Sequence, residues 1–304
     1  MFTPADAAHR RAGAKSQAAM PATRSFTLER PGGITLRGAC WCPAGAGGGA
    51  RGADVAPARD IYLVHGLGEH VGRYDTLGAW LAARGWTLCG HDHHGHGRSD
   101  GRRGTIPATR DPGDDLEAAL ETRYDAGRPP LLMGHSLGGL VALSCALRHP
   151  QRIRGLVLTS PALDPGLGIW QKALVALMSR IAPDLALGNG LDASKLSHDP
   201  AVVRAYLDDP LVHDRISARL ARFIVDASRR AIEQAGTLAV PTLLMYAGDD
   251  RLVDPAGSRE FARRAPPSLL TVREYPALWH EILNESEPAR RGVFDDLAAW
   301  LDGR

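Results

Sequence analysis

Residues 130–140, PLLMGHSLGGL, decide how the chain is read. A short apolar run enters Gly134-His135-Ser136-Leu137-Gly138, a G-x-S-x-G pentapeptide, and residues 137–148 continue with helical spacing. A buried strand that reverses sharply into a helix needs glycines on either side of the turn, because Cβ atoms there would clash. Such a turn projects Ser136 Oγ away from the sheet. It also places the serine at a helix N-terminus, where free N–H groups favour developing negative charge. Ser136 is therefore a candidate nucleophile.

Outward from this turn, strand and helix patterns alternate. Residues 60–65, 86–90, 153–159, 242–247 and 269–275 read as short buried strands. Residues 73–84, 112–124, 255–264 and 288–301 read as helices, the second with Asp111 as N-cap and proline in its first turn. Before them, residues 25–30 and 33–42 alternate in polarity around Pro31-Gly32 and predict an antiparallel hairpin. This order predicts an α/β fold, a mostly parallel sheet covered on both faces. Between 161 and 236 the strand signal stops. Trp170, Leu174, Leu177, Met178 and Ile181 fall on one helical stripe there, expected to face a core. The chain divides into a polar tail at 1–24, expected to be disordered, a core at 25–160 and 237–304, and a helical cap inserted at 161–236.

A nucleophilic serine needs a base, and the base needs an orienting acid. In a strand–elbow–helix context both follow the serine, acid first. Asp250, in YAGDDRLVD after one strand, and His280, in PALWHE after the next, stand in that order. Asp249 and Asp254 compete with Asp250 in the same turn. The backbone N–H of Leu137 and that of Leu67, in the glycine turn His65-Gly66-Leu67-Gly68, are the candidate oxyanion donors.

The segments HGLGEH, GHDHHGHGRSDG, GHSLGG, AGDDRLVD and LWHEILNE together resemble the monoacylglycerol lipase and lysophospholipase branch of the α/β-hydrolases, from about residue 25 to the C-terminus. The resemblance implies the α/β-hydrolase fold with a helical cap. It implies a serine hydrolase of carboxylic esters with Ser136 as nucleophile, Asp250 as acid and His280 as base, without cofactor or metal. The glycine this family often has three residues before its acid is Ala247 here, followed by Gly248. The implied partner is a small ester or lipid, with transient membrane-surface contact through the cap.

Two other functions compete. His91, His93 and His96 in HDHHGHGRSD are spaced H-x-H-x-x-H and resemble part of a metallo-hydrolase signature, with Gly95 where that signature has aspartate. The alternative reading of this stretch is a loop leaving a strand, tied by Asp92 and by its glycines. A non-catalytic, ligand-binding relative would lack a member of the triad, whereas all three positions are filled here. A net charge of +2 on 304 residues argues against nucleic acid. Cys40, Cys42, Cys89 and Cys145 are expected to be free buried thiols, and with no apolar leader they point to the cytoplasm.

Overall fold

A computed structural model describes residues 22–44 and 59–304. Strands β1 (Ala22–Arg30) and β2 (Ile34–Cys42) form the expected antiparallel hairpin. β1 begins at Ala22, so residues 22–24, expected in the tail, are strand; the rest of the tail lies outside the described residues. Next come β3 (Asp60–Val64), α1 (Asp75–Ala82), β4 (Thr87–His91), α2 (Pro112–Arg123), β5 (Leu131–His135), α3 (Leu137–Arg148) and β6 (Gly155–Thr159). The 161–236 segment holds α4 (Ile169–Ile181), β7 (Ala186–Gly188), α5 (Pro200–Asp208), β8 (Arg215–Ser217) and α6 (Ala218–Glu233). β9 (Thr242–Ala247), α7 (Pro255–Arg264), β10 (Leu270–Tyr275) and α8 (Ala289–Asp302) complete the chain.

The main sheet has the order β1-β2-β4-β3-β5-β6-β9-β10, parallel from β4 to β10, with β2 antiparallel to β4. Alternation along each strand divides its side chains between two layers. Ile61 and Leu63 pack with Leu77 and Leu81 of α1 and with Val293, Leu297 and Leu301 of α8. Tyr62 and Val64 pack on the other face with Leu116 of α2, Leu140 of α3, Leu220 and Ile224 of α6, and Phe261 of α7. α2 starts as expected: Asp111 accepts from Gly113 N–H (2.7 Å) and Asp114 N–H (3.2 Å), and Pro112 has no N–H that would need an acceptor. Among the described residues no helix is long and apolar enough to cross a membrane.

Two expectations are corrected. Cys40 and Cys89 are cross-strand partners in the β2–β4 register and form a disulfide, leaving Cys42 and Cys145 as the free thiols. Spacing along the chain addressed only the Cys40–Cys42 pair, because strand pairing over 49 residues leaves no local signal. The free-thiol argument for a reducing compartment falls with it. The α4 stripe also turns outward at four of its five residues, Met178 being the partly covered one. Trp170 is 85% and Ile181 67% exposed, with Leu174 and Leu177 open to solvent beside them. Val175, Ala176, Met178 and Ser179 are the partly covered residues of α4. Helical periodicity reports that an apolar face exists, not which way it turns.

Candidate active site

Ser136 sits at the end of β5 with φ 52° and ψ −120°, a strained conformation for a residue with a side chain. Its backbone is pinned from three sides. The N–H donates to Thr159 O (3.1 Å), and the carbonyl accepts from Leu140 N–H (3.1 Å) and Ala162 N–H (3.0 Å). A Cβ on Gly134 would run into the Gly138 carbonyl, and one on Gly138 into the Val64 carbonyl, so the turn closes only with glycine at both positions. The Ser136–Leu140 bond opens the ladder of α3, which leaves the Leu137 N–H in the unpaired first turn.

Asp250 and His280 leave the neighbouring strands β9 and β10 and meet: His280 Nδ1 donates to Asp250 Oδ2 at 2.6 Å. The other carboxylate oxygen accepts from Leu252 N–H (2.9 Å) and Val253 N–H (3.0 Å), which fixes the acid. Burial opposes charge on His280, but the attraction of Asp250 overrides it and raises the imidazole pKa; the same pairing holds Asp250 below the usual range against its own burial. Asp249 is engaged by Arg251 and the Trp279 indole, and Asp254 caps α7 through Ala256 N–H. Asp250 is thus the aspartate of this turn that reaches the histidine. The His280 ring lies 4.8 Å from that of His135, and Ser136 and His280 line one cavity of about 550 Å³. Leu67, in the loop after β3, lines it too. A Cβ placed on Gly66 would lie 3.3 Å from Ser136 Cβ, so this loop passes directly by the serine.

The family described as serine aminopeptidase S33 matches residues 56–287 of the chain. The chain belongs to this family of α/β-hydrolases. It is 31% identical over 276 residues to a monoacylglycerol lipase of Mycolicibacterium smegmatis, covering 89% of this chain and 94% of that one. It is 30% identical over 256 residues to the human monoglyceride lipase, covering 82% and 84%. The crystal structure of the Paleococcus ferrophilus monoacylglycerol lipase superposes with a TM-score of 0.77 at 34% identity, over 88% of this chain and 98% of that one. The fold and the general activity expected from the sequence, hydrolysis of carboxylic esters by a serine hydrolase, both stand.

The hydrolase also carries a buried ion cluster that sequence reasoning missed. Glu69 Oε1 accepts from Gly66 N–H (2.6 Å) and Tyr74 Oη–H (2.8 Å). Arg73 donates to Glu69 Oε2 (2.8 Å) and grips Glu281 with two bonds of 2.7 and 2.8 Å. Burial would raise both glutamates, yet the guanidinium outweighs it and keeps both carboxylates below their ordinary range. The i, i+4 spacing of Glu69 and Arg73 was a visible signal for one half of the cluster. The half reaching Glu281 crosses 208 residues and had none.

The histidine stretch folds as the loop after β4. Asp92 ties it, accepting from Val71 N–H (2.9 Å) and Arg98 N–H (2.8 Å). His65, His91, His93 and His96 are all buried, and His96 abuts His213, between α5 and β8, at 4.6 Å between centroids. Burial lowers the pKa of each, that of His91 to about 4. Among the described residues, no three His, Cys, Asp or Glu side chains are grouped so as to hold a metal ion. The imidazoles bond to other groups instead: His91 Nδ1 to Tyr62 Oη (2.7 Å), and His96 Nδ1 to the His94 carbonyl (3.0 Å).

Proposed function

We propose that the hydrolase cleaves monoacylglycerols through an acyl-enzyme on Ser136, with residues 161–236 as a cap that meets the lipid surface. The observation that carries this is the convergence of Ser136, the Asp250-bound His280 and the Leu67 loop on one cavity. His280 takes the Ser136 proton as Oγ attacks the ester carbonyl, and Asp250 holds the ring with Nδ1 protonated. The N–H groups of Leu67 and Leu137 stabilise the tetrahedral oxyanion. His280 then protonates the departing glycerol, and a water activated by the same base releases the fatty acid.

Charge on the cavity wall favours a neutral leaving group. Glu69, Glu281, Asp192, Asp209 and Asp214 line it against one arginine, Arg73, which two of those carboxylates already occupy. A phosphate-bearing alcohol finds no free cation among the described residues that line it, whereas glycerol hydroxyls can donate to the carboxylates. The α4 face, with Leu185 and Leu187 beside it in sequence, suits contact with the lipid phase that delivers such substrates.

A fluorophosphonate probe labels the wild type and not Ser136→Ala, and kcat/KM is highest for a medium-chain monoacylglycerol among that ester, p-nitrophenyl butyrate and lysophosphatidic acid. A folded wild type that resists the probe, or a preference for lysophosphatidic acid, rejects the proposal.

A further inference from the structure

His93 belongs to the stretch whose histidines the mechanism leaves unused, yet its contacts lead to the oxyanion loop. β3 and β4 are adjacent parallel strands, so the loops leaving them start side by side. The backbone N–H of His93 donates to His65 Nε2 at 2.9 Å. That nitrogen must therefore carry a lone pair, which puts the ring proton of neutral His65 on Nδ1. His65 Nδ1–H in turn donates to the Gly66 carbonyl at 2.8 Å. In a trans peptide the N–H points opposite to the C=O, so holding the Gly66 oxygen fixes the direction of the Leu67 N–H.

The pairing is reciprocal. His93 Nε2–H donates to the His65 carbonyl at 3.1 Å, while His93 Nδ1 is buried without a partner among the described residues, as suits the nitrogen bearing the lone pair. The two rings lie 4.4 Å apart and both are buried. With Glu69 holding the Gly66 N–H, both peptides leading into Leu67 are fixed before substrate arrives. Burial pushes both imidazoles well below the ordinary histidine pKa, so the neutral forms this lock requires persist across the working pH range.

We propose that His93 and His65 are positioning residues that pre-set the oxyanion hole, the His65 ring holding the peptide that carries the Leu67 N–H and the His93 ring holding the His65–Gly66 peptide before it. The inference rests on the reading of Ser136 as nucleophile and Leu67 as oxyanion donor. Misaiming one such donor lowers turnover by about 10²–10³.

The test compares His65→Phe, His93→Phe and His93→Gln, the last restoring an N–H donor. Each is assayed on p-nitrophenyl butyrate and for inhibition by an alkyl trifluoromethyl ketone, which forms an oxyanion adduct on the serine. His65→Phe is expected to lower kcat by roughly 10² with little change in KM, and His93→Phe by roughly tenfold. His93→Gln should recover most of the latter loss. Ketone affinity should fall in proportion to kcat/KM across the series, a correlation that general loss of packing does not produce. Should phenylalanine fail to fold at either site, His93→Met takes its place. Folded variants with kcat and ketone affinity within threefold of wild type overturn the proposal. Ser136→Ala separates the two readings: if it still turns over ester, the nucleophile assignment fails; if it is inactive while the histidine variants are unaffected, only the positioning role fails.

Discussion

Replacing Arg73 with methionine removes the cation shared by two buried carboxylates, and the consequence can be worked out with its sign. Arg73 contacts Glu69 at 2.8 Å and Glu281 at 2.7 and 2.8 Å, and the side chains are 10%, 4% and 4% exposed. At an effective dielectric of about 20, each contact is worth about 4 kcal/mol, offset in the wild type by the cost of desolvating the charges. Deleting the shared partner leaves that desolvation uncompensated and sets two carboxylates against each other. A loss of about 3–5 kcal/mol at pH 8 is expected.

The pH dependence of this loss distinguishes charge from packing. In the wild type both carboxylates have lowered pKa values, so the stability they contribute is present above the ordinary carboxylate pKa and lost as pH falls through the folded values. In Arg73→Met, burial and mutual repulsion raise them above the unfolded values. The folded variant then binds more protons than its unfolded chain, and it gains stability as pH falls. The gap between wild type and variant in urea-melt free energies should therefore narrow from pH 8 to pH 5, to about half if one carboxylate is neutralised. Other titrating groups are common to both proteins and cancel in the difference. The double variant Arg73→Met, Glu281→Gln should recover part of the loss at pH 8. A gap below about 1 kcal/mol, or one that stays constant with pH, refutes the reasoning.

Four further outcomes are expected. Burial pushes His91 down to about 4 from an ordinary 6.5, so about 3 kcal/mol of stability is intact above pH 6.5 and is lost as pH falls toward 4; the difference in melting between wild type and His91→Gln would stay constant across this range if the imidazole were not buried neutral. The raised pKa of His280 puts the acid limb of kcat/KM above pH 6.5, and Asp250→Asn should move that limb down and lower kcat by roughly 10³–10⁴. Substituting Trp170→Glu and Leu174→Glu together should weaken co-sedimentation with phosphatidylcholine–monoacylglycerol vesicles by at least roughly tenfold, with turnover of p-nitrophenyl butyrate retained. Thiol titration of the denatured, unreduced protein should find Cys42 and Cys145 reactive, with Cys40 and Cys89 joining them after reduction.

What could be read from the sequence divides by range. The elbow is a local object: its glycines, its strand and its helix lie within 20 residues, so PLLMGHSLGGL already specifies the backbone that strains Ser136. The pairing of Asp250 with His280 was legible through chain order, because both residues follow strands that end on the same edge of the sheet. The choice of Asp250 over Asp249 and Asp254 rests on where a carboxylate points, and the residue types alone do not carry that. The disulfide, the Arg73–Glu281 grip and the outward turn of α4 all depend on which distant element lies opposite, information that no local window contains.

The histidines show how residue type can mislead where connectivity does not. A metal site requires several lone pairs aimed at one point, which the H-x-H-x-x-H spacing suggests on paper. In the folded hydrolase the His65 lone pair is taken by the His93 N–H, and the ring protons of both residues are given to the carbonyls of His65 and Gly66. A buried neutral imidazole offers one donor and one acceptor, which is what peptide groups need where β3 and β4 stop pairing at the sheet edge. An apolar side chain would fill the same space and leave those peptides unsatisfied. A charged side chain would satisfy them only at a large desolvation cost. Imidazole at His65 and His93 thus suits a loop that must be rigid and dry beside the proposed oxyanion hole.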